Sequence, residues 1–151
     1  MTTVSRTVST SPDRVWDVLA DGWLYPLWVV GAARIRDVDE TWPAKGSKIH
    51  HSIGVWPALI NDDTEVLELE SGRAIRLRAK AWLLGQANVQ ITLSPVAGRT
   101  EVVLHEEPVS GPGVLIPDPI LAPGLKWRNV ETLRRLAFIA EGRTDDTTNR
   151  S

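Results

Sequence analysis

Histidine is the side chain best suited to moving protons near neutral pH, and the chain has three, at positions 50, 51 and 105. Along residues 46–56 the apolar Ile49, Ile53 and Val55 share one strand parity, which puts His51 on their face and His50 on the other. His51 is therefore the candidate general acid/base of an apolar interior. The commoner state of such a residue is a neutral core histidine satisfied by a hydrogen bond, and both readings stand. Neighbouring strand residues point apart and no third ligand accompanies this pair, so neither a metal site nor any cofactor is expected.

Residues 100–107 pose a second question of parity. Val102, Leu104 and Glu106 form one face, and Val103, His105 and Glu107 the other. With the first set inward Glu106 needs a partner, and Arg6, which shares a face with Val4 and Val8 on the first strand, is the candidate for a buried structural pair. With the opposite parity His105 enters the interior and the catalytic case strengthens. Near the C-terminus, rotation of ~100° per residue puts Asn129 in the arc of Val130, Leu133, Leu136 and Ala140. An amide there can orient a ligand carbonyl or hydroxyl, or bond nearby backbone. There is no cysteine, which excludes disulfides, thiolate metal sites and cysteine nucleophiles, and no inward pair of acids or Ser/His/Asp set is evident.

The elements that must position these groups read as one α+β domain over residues 1–142, followed by a polar tail, residues 143–151, expected to be disordered. Strands are expected at 4–9, 30–38, 47–56, 64–70, 74–84, 87–94 and 100–107, with turn residues such as Asn61-Asp62-Asp63, Ser71-Gly72 and Gly85-Gln86 in the gaps. These gaps are too short for helical crossovers, so the seven-stranded sheet is antiparallel. Ser11-Pro12-Asp13 starts a short helix that ends near Gly22, and a second short helix or turn follows at 23–28. Residues 111–124 read as an ordered apolar loop, and 125–141 as a long helix stopped by Gly142, with Val130, Leu133, Leu136, Ala137 and Ala140 on its buried stripe.

Bulk composition narrows the function. A net charge of −2 offers no footprint for nucleic acid. The N-terminal stretch lacks an apolar signal core and no run approaches the ~20 apolar residues of a membrane span, so a cytoplasmic location is expected. Seven tryptophans stand beside one tyrosine and one phenylalanine, which makes the aromatic surface almost entirely indole. Within 74–84 the inward row is Ile75, Leu77, Ala79, Ala81 and Leu83, while Trp82 faces outward. Two alanines at the centre of such a row leave room for a cavity unless a bulky neighbour fills it.

Strand, two short helices, six strands and a long terminal helix is the element order of the START-like (SRPBCC, helix-grip) superfamily, and the local text agrees. The segment VSTSPDRVW resembles the superfamily's opening phrase, and GWLYPLWVVGAARIRDV, GSKIHHSIGVWP, PVSGPG and RNVETLRRLA resemble actinobacterial polyketide cyclase/dehydrase-like proteins. The resemblance implies a curved sheet, edged by its first and second strands, wrapped around the terminal helix with a cavity between. It implies a small hydrophobic ligand, lipid or polyketide-like, lined by Trp28, Ile35, His51, Ile53, Val55, Leu77, Ala79, Ala81, Leu83, Ile91, Leu104, Asn129 and Leu133. Three roles follow: a carrier or sequestering protein, a cyclase/aromatase-type enzyme with His51 as its acid/base, or a protein interaction module. A monomer and a homodimer are both compatible with this reading.

Overall fold

The computed structural model describes residues 2–30, 34–53, 60–80 and 85–148. Its elements are β1 (Thr2–Val8), α1 (Pro12–Ala20), a 3-10 turn (Gly22–Leu24), α2 (Tyr25–Trp28), β2 (Arg34–Val38), β3 (Lys48–Ile53), β4 (Ile60–Glu70), β5 (Ala74–Lys80), β6 (Gln86–Val96), β7 (Arg99–Ser110), a second 3-10 turn (Pro112–Leu115) and α3 (Asp118–Thr148). The strands form one antiparallel sheet in the order β1-β7-β6-β5-β4-β3-β2, so the first and second strands are its edges. Register shifts between Ile35 and Asp37, between Val66 and Glu68 and between Gln86 and Ala87 are of the bulge type that bends strands and steepens twist.

One face of this sheet is apolar and needs a cover. Val4, Ile49, Val66, Ile75, Leu77, Ile91, Leu93, Val102 and Leu104 from the strands pack with Val15, Val18 and Leu19 of α1, Tyr25 and Trp28 of α2, and Leu133, Leu136, Ala137 and Ala140 of α3. α3 lies against β1, α1 and α2. Its far end is pinned where Ser9 N–H donates to Glu141 Oε1 at 2.9 Å, and its middle where Val30 N–H donates to Thr132 Oγ1 at 3.3 Å.

Several boundaries differ from expectation. Asn61, Asp62 and Asp63 are strand residues, paired with Ser52, His51 and His50. Their turn preference yields to the ladder, and Lys80 of β5 holds Asp62 and Asp63 at 3.9 and 3.5 Å. Val30 is no strand residue, because its amide is committed to α3. The expected apolar loop is a 3-10 turn followed by the first turns of α3, which starts at Asp118 rather than Leu125. A first-turn acid and a proline close behind it favour such a start, while Pro123, in the second turn, removes one i→i−4 hydrogen bond from the helix. Gly142 does not stop the helix, which runs on to Thr148. Ser11 occupies the N-cap of α1, but its side chain makes no capping bond; its carbonyl accepts from Arg14 and Val15 instead.

Val130 is 47% exposed, contrary to the buried stripe expected of it. Together with Trp127 and Phe138 it belongs to an outward apolar stripe. Asn129 takes the inward position in its place.

Two glycines separate backbone conformation from space. Gly72 and Gly85 both have positive φ, +78° and +96°, but a Cβ at Gly72 meets nothing, whereas one at Gly85 would lie 2.1 Å from the Ser110 carbonyl oxygen. Gly72→Ala is expected to lower stability by about 1 kcal/mol and Gly85→Ala by at least twice that. Equal midpoints for the two variants in urea would contradict the close approach of β7 to Gly85.

Candidate functional site

The concave face of the sheet carries two polar groups within its apolar wall. The first is built from α2, β3 and β4. Parity along β3 buries Ile49 and His51 and turns His50 outward, where its Nε2 meets Asp39 Oδ1 at 3.0 Å. Ile49 faces Thr64 across the ladder, so Thr64 is also buried. Thr64 Oγ1 lies 3.1 Å from His51 Nε2 and 3.1 Å from the Tyr25 hydroxyl. The Tyr25 ring stacks on the imidazole, with centroids 6.1 Å apart and planes at 17°, and meets Trp28 edge-on at 5.3 Å and 71°. Trp28 Nε1 and His51 Nδ1 are buried without a hydrogen-bond partner among the described residues.

The second group joins β7 to α3. Glu106 faces inward and His105 outward, which settles the parity left open by the sequence; His105 Nδ1 is bonded to Thr3 Oγ1 at 2.7 Å. Glu106 does not pair with Arg6. The β1–β7 register sets Arg6 opposite Val102 and brings Thr2 to Glu106, and the Arg6 side chain is exposed. The carboxylate is held by α3 instead. Arg128 Nη2 donates to Oε1, and Asn129 Nδ2 donates to Oε2 at 2.8 Å.

Burial sets the protonation of both rings. The Tyr25 hydroxyl is pushed above its ordinary value, chiefly because its phenolate would be out of water, against smaller opposing pulls from the Thr64 hydrogen bond and the Arg128 charge. His51 is pushed below the usual imidazole value by burial, against the pull of Asp62 and Asp63. It is therefore neutral at pH 7, one ring nitrogen carrying a proton and the other a lone pair. That state can exchange protons, but neither carboxylate makes a hydrogen bond to His51.

Of the residues singled out from the sequence, Trp28, His51, Leu77, Ile91, Leu104, Asn129 and Leu133 are buried in this interior, and Ile35 packs against it partly buried. Ala79 is half-buried on the same row. Val55, Ala81 and Leu83 lie outside the described residues, as do the side chain of Ile53 and the outward Trp82. Sequence reasoning missed Tyr25, Thr64 and Arg128. Thr64 could have been found, since it continues the parity of Val66; Tyr25 and Arg128 could not, because helix packing brings them in. A cleft of about 420 Å3 opens between β1 and the first turns of α3, lined by Thr2, Thr3, Asp118, Pro119, Ala122, Pro123 and Lys126, and includes none of the site residues singled out from the sequence. Among the described residues no group of three or more His, Cys, Asp or Glu could hold a metal, and no helix is long and apolar enough to cross a membrane.

A family model described as polyketide cyclase/dehydrase and lipid transport matches residues 1–141. No curated protein matches in sequence. Solved structures share the fold at low identity. A Nitrosomonas europaea protein is 14% identical with a TM-score of 0.70, covering 95% of each chain. The Zhui aromatase/cyclase of Streptomyces sp. R1128 is 20% identical with a TM-score of 0.65, covering 94% of this chain and 93% of that one. The di-domain aromatase/cyclase StfQ of the steffimycin pathway is 17% identical with a TM-score of 0.64; 95% of this chain matches 51% of it.

Two outcomes follow for the polar groups. Asn129→Ala leaves one oxygen of a buried carboxylate without its donor and is expected to destabilise the fold by about 1–3 kcal/mol, read by urea unfolding; a change within a few tenths would deny Glu106 its dependence on α3. The second concerns pH. The folded-state value of His51 lies below the unfolded value of about 6.5, so on acidification the unfolded chain takes the proton first. Its contribution to stability is complete above about pH 6.5 and is lost as pH falls below that value. The decline in Tm between pH 7.5 and 5.5 should be shallower in His51→Gln than in the parent, and parallel curves would refute the assignment.

Proposed function

The chain belongs to the polyketide cyclase/dehydrase and lipid transport family, and from that premise we propose that it binds a small hydrophobic molecule, lipid or polyketide-like, between the sheet and α3, as a carrier or sequestering protein. The observation that carries this reading is the make-up of the concave face. Leu77, Ile91, Leu104 and Leu133 present apolar surface from three strands and a helix. The polar groups set among them are bonded to one another in two small clusters. Ligand sites in general combine a mostly apolar lining with a few placed polar groups. Trp28, Ile35, Ile53, Val55, Ala79, Ala81, Leu83, His51 and Asn129 complete the proposed lining.

A second reading is an enzyme of the cyclase/aromatase kind. What favours it is the neutral, buried His51, which could serve as a general base for a carbon acid brought beside it. Against it, Glu106 is occupied by Arg128 and Asn129 and is not free to work as the complementary acid. The interaction-module reading draws on the outward stripe of Trp127, Val130 and Phe138.

Native mass spectrometry of the purified chain is expected to show a bound small molecule, or 1-anilinonaphthalene-8-sulfonate is expected to bind saturably at one equivalent. Ala79→Phe, which adds bulk to the inner row, should weaken dye binding by on the order of tenfold while the circular dichroism spectrum is kept. Absence of both adduct and saturable binding in the parent would sink the proposal. If a poly-β-ketone probe is turned over, and His51→Ala abolishes turnover with binding retained, the enzyme reading replaces the carrier.

A further inference from the structure

We infer that the molecule held in this interior presents a hydrogen-bond acceptor, a carbonyl-type oxygen, to buried N–H donors supplied by Trp28 Nε1 and His51 Nδ1. This rests on the reading of the interior as a hydrophobic-ligand site, and it specifies the polar chemistry of that ligand. The direction of the Tyr25–Thr64–His51 chain carries it. A threonine hydroxyl has one proton to donate, and Thr64 Oγ1 touches two partners, Tyr25 and His51 Nε2. Suppose Thr64 donated to the tyrosine oxygen. The buried Tyr25 proton would then have no acceptor among the described residues, since Thr64 is its only hydrogen-bond partner there. The arrangement that spends both hydroxyl protons, and leaves only Nδ1 of the three residues unpaired, runs from Tyr25 O–H to Thr64, and from Thr64 O–H to His51 Nε2. The imidazole of this neutral ring then carries its proton on Nδ1, which is left as a donor.

An indole nitrogen can only donate. The two partnerless buried nitrogens beside Tyr25 therefore have the same polarity, and their rings pack against the same tyrosine, one stacked and one edge-on. Asp62, which faces His51 across the ladder, does not bond Nδ1 and lies instead beside Lys80. Both nitrogens are buried from solvent, so an acceptor has to arrive with a molecule that enters the interior. Buried donors left without partners destabilise the unliganded interior, and an acceptor oxygen relieves what an apolar or purely donating group cannot. The interior is accordingly selective for ketones, esters or similar acceptors over hydrocarbons of equal size.

The test uses the full chain in two ways. In uniformly 15N-labelled protein, with the three imidazoles assigned by His50→Gln and His105→Gln, the His51 nitrogen shifts are expected to show the Nδ1–H tautomer. The Nε2–H tautomer would overturn the inference without any ligand being added. Separately, 2-acetylnaphthalene and 2-ethylnaphthalene are titrated against the dye, each affinity normalised to its water–octanol partition. The ketone is expected to bind about fivefold to tenfold tighter, the range of one or two relieved hydrogen bonds. Trp28→Phe, which removes the indole donor, should narrow that ratio. Equal normalised affinities overturn the donor inference while leaving a hydrophobic site standing. Failure of both probes to bind overturns the site and the inference together.

Discussion

A carboxylate drawn out of water onto an apolar sheet face has to find fixed donors, and Glu106 finds them on α3. That requirement sets the rotation of the helix. With Asn129 turned in to reach Oε2, the residues one, two and three turns on, Leu133, Leu136 and Ala140, fall on the same side and close the core. Val130, one step round the helix, is carried out to solvent. A purely hydrophobic contact between helix and sheet would tolerate some sliding; two hydrogen bonds to one carboxylate do not, because each is directional. The bonds to Glu106 tie α3 to β7, alongside its packing on β1, α1 and α2.

The sheet's other half is organised around a weaker and less complete network. Tyr25, Thr64 and His51 link α2 to β3 and β4, the strands farther from α3's contacts with β1. α2 is only four residues long, yet it contributes Tyr25 and Trp28, both buried, and packs on α3 behind them. It is the bridge between the two polar clusters, and the fields of Glu106 and Arg128 reach the Tyr25 hydroxyl across it. The contrast between the clusters is informative. Both oxygens of Glu106 are bonded, whereas around Tyr25 two ring nitrogens, like the Thr2 hydroxyl opposite Glu106, find no partner among the described residues.

The chain belongs to the polyketide cyclase/dehydrase and lipid transport family and shares its fold with the Streptomyces aromatase/cyclase. At 20% identity or less, those likenesses speak for the scaffold, and the chemistry has to be argued from the side chains present. Here the side chains are apolar walls, one occupied acid and one neutral imidazole.

Much of this was legible in the chain itself. Alternation along the strands placed His51 inward and His50 outward and set Glu106 and His105 on opposite faces, because strand parity is a local property that no neighbour can change without a bulge; that Glu106 is the inner one came from the packing. Helical spacing likewise brought Asn129 onto the buried arc. What could not be read was who meets whom. Glu106 takes Arg128 rather than Arg6 because the β1–β7 register and the docking of α3 decide the distances, and neither is written in local pattern. Asn61, Asp62 and Asp63 joined a strand despite their turn chemistry, and Val130 faced water despite its apolarity, for the same reason. Local preferences of a fraction of a kcal/mol yield to tertiary contacts worth several times more. The sequence by itself determined which strand residues share a face; only the tertiary structure decided which of two open faces was inner and who the partners are, since pairing depends on residues far apart in the chain being held at hydrogen-bonding distance.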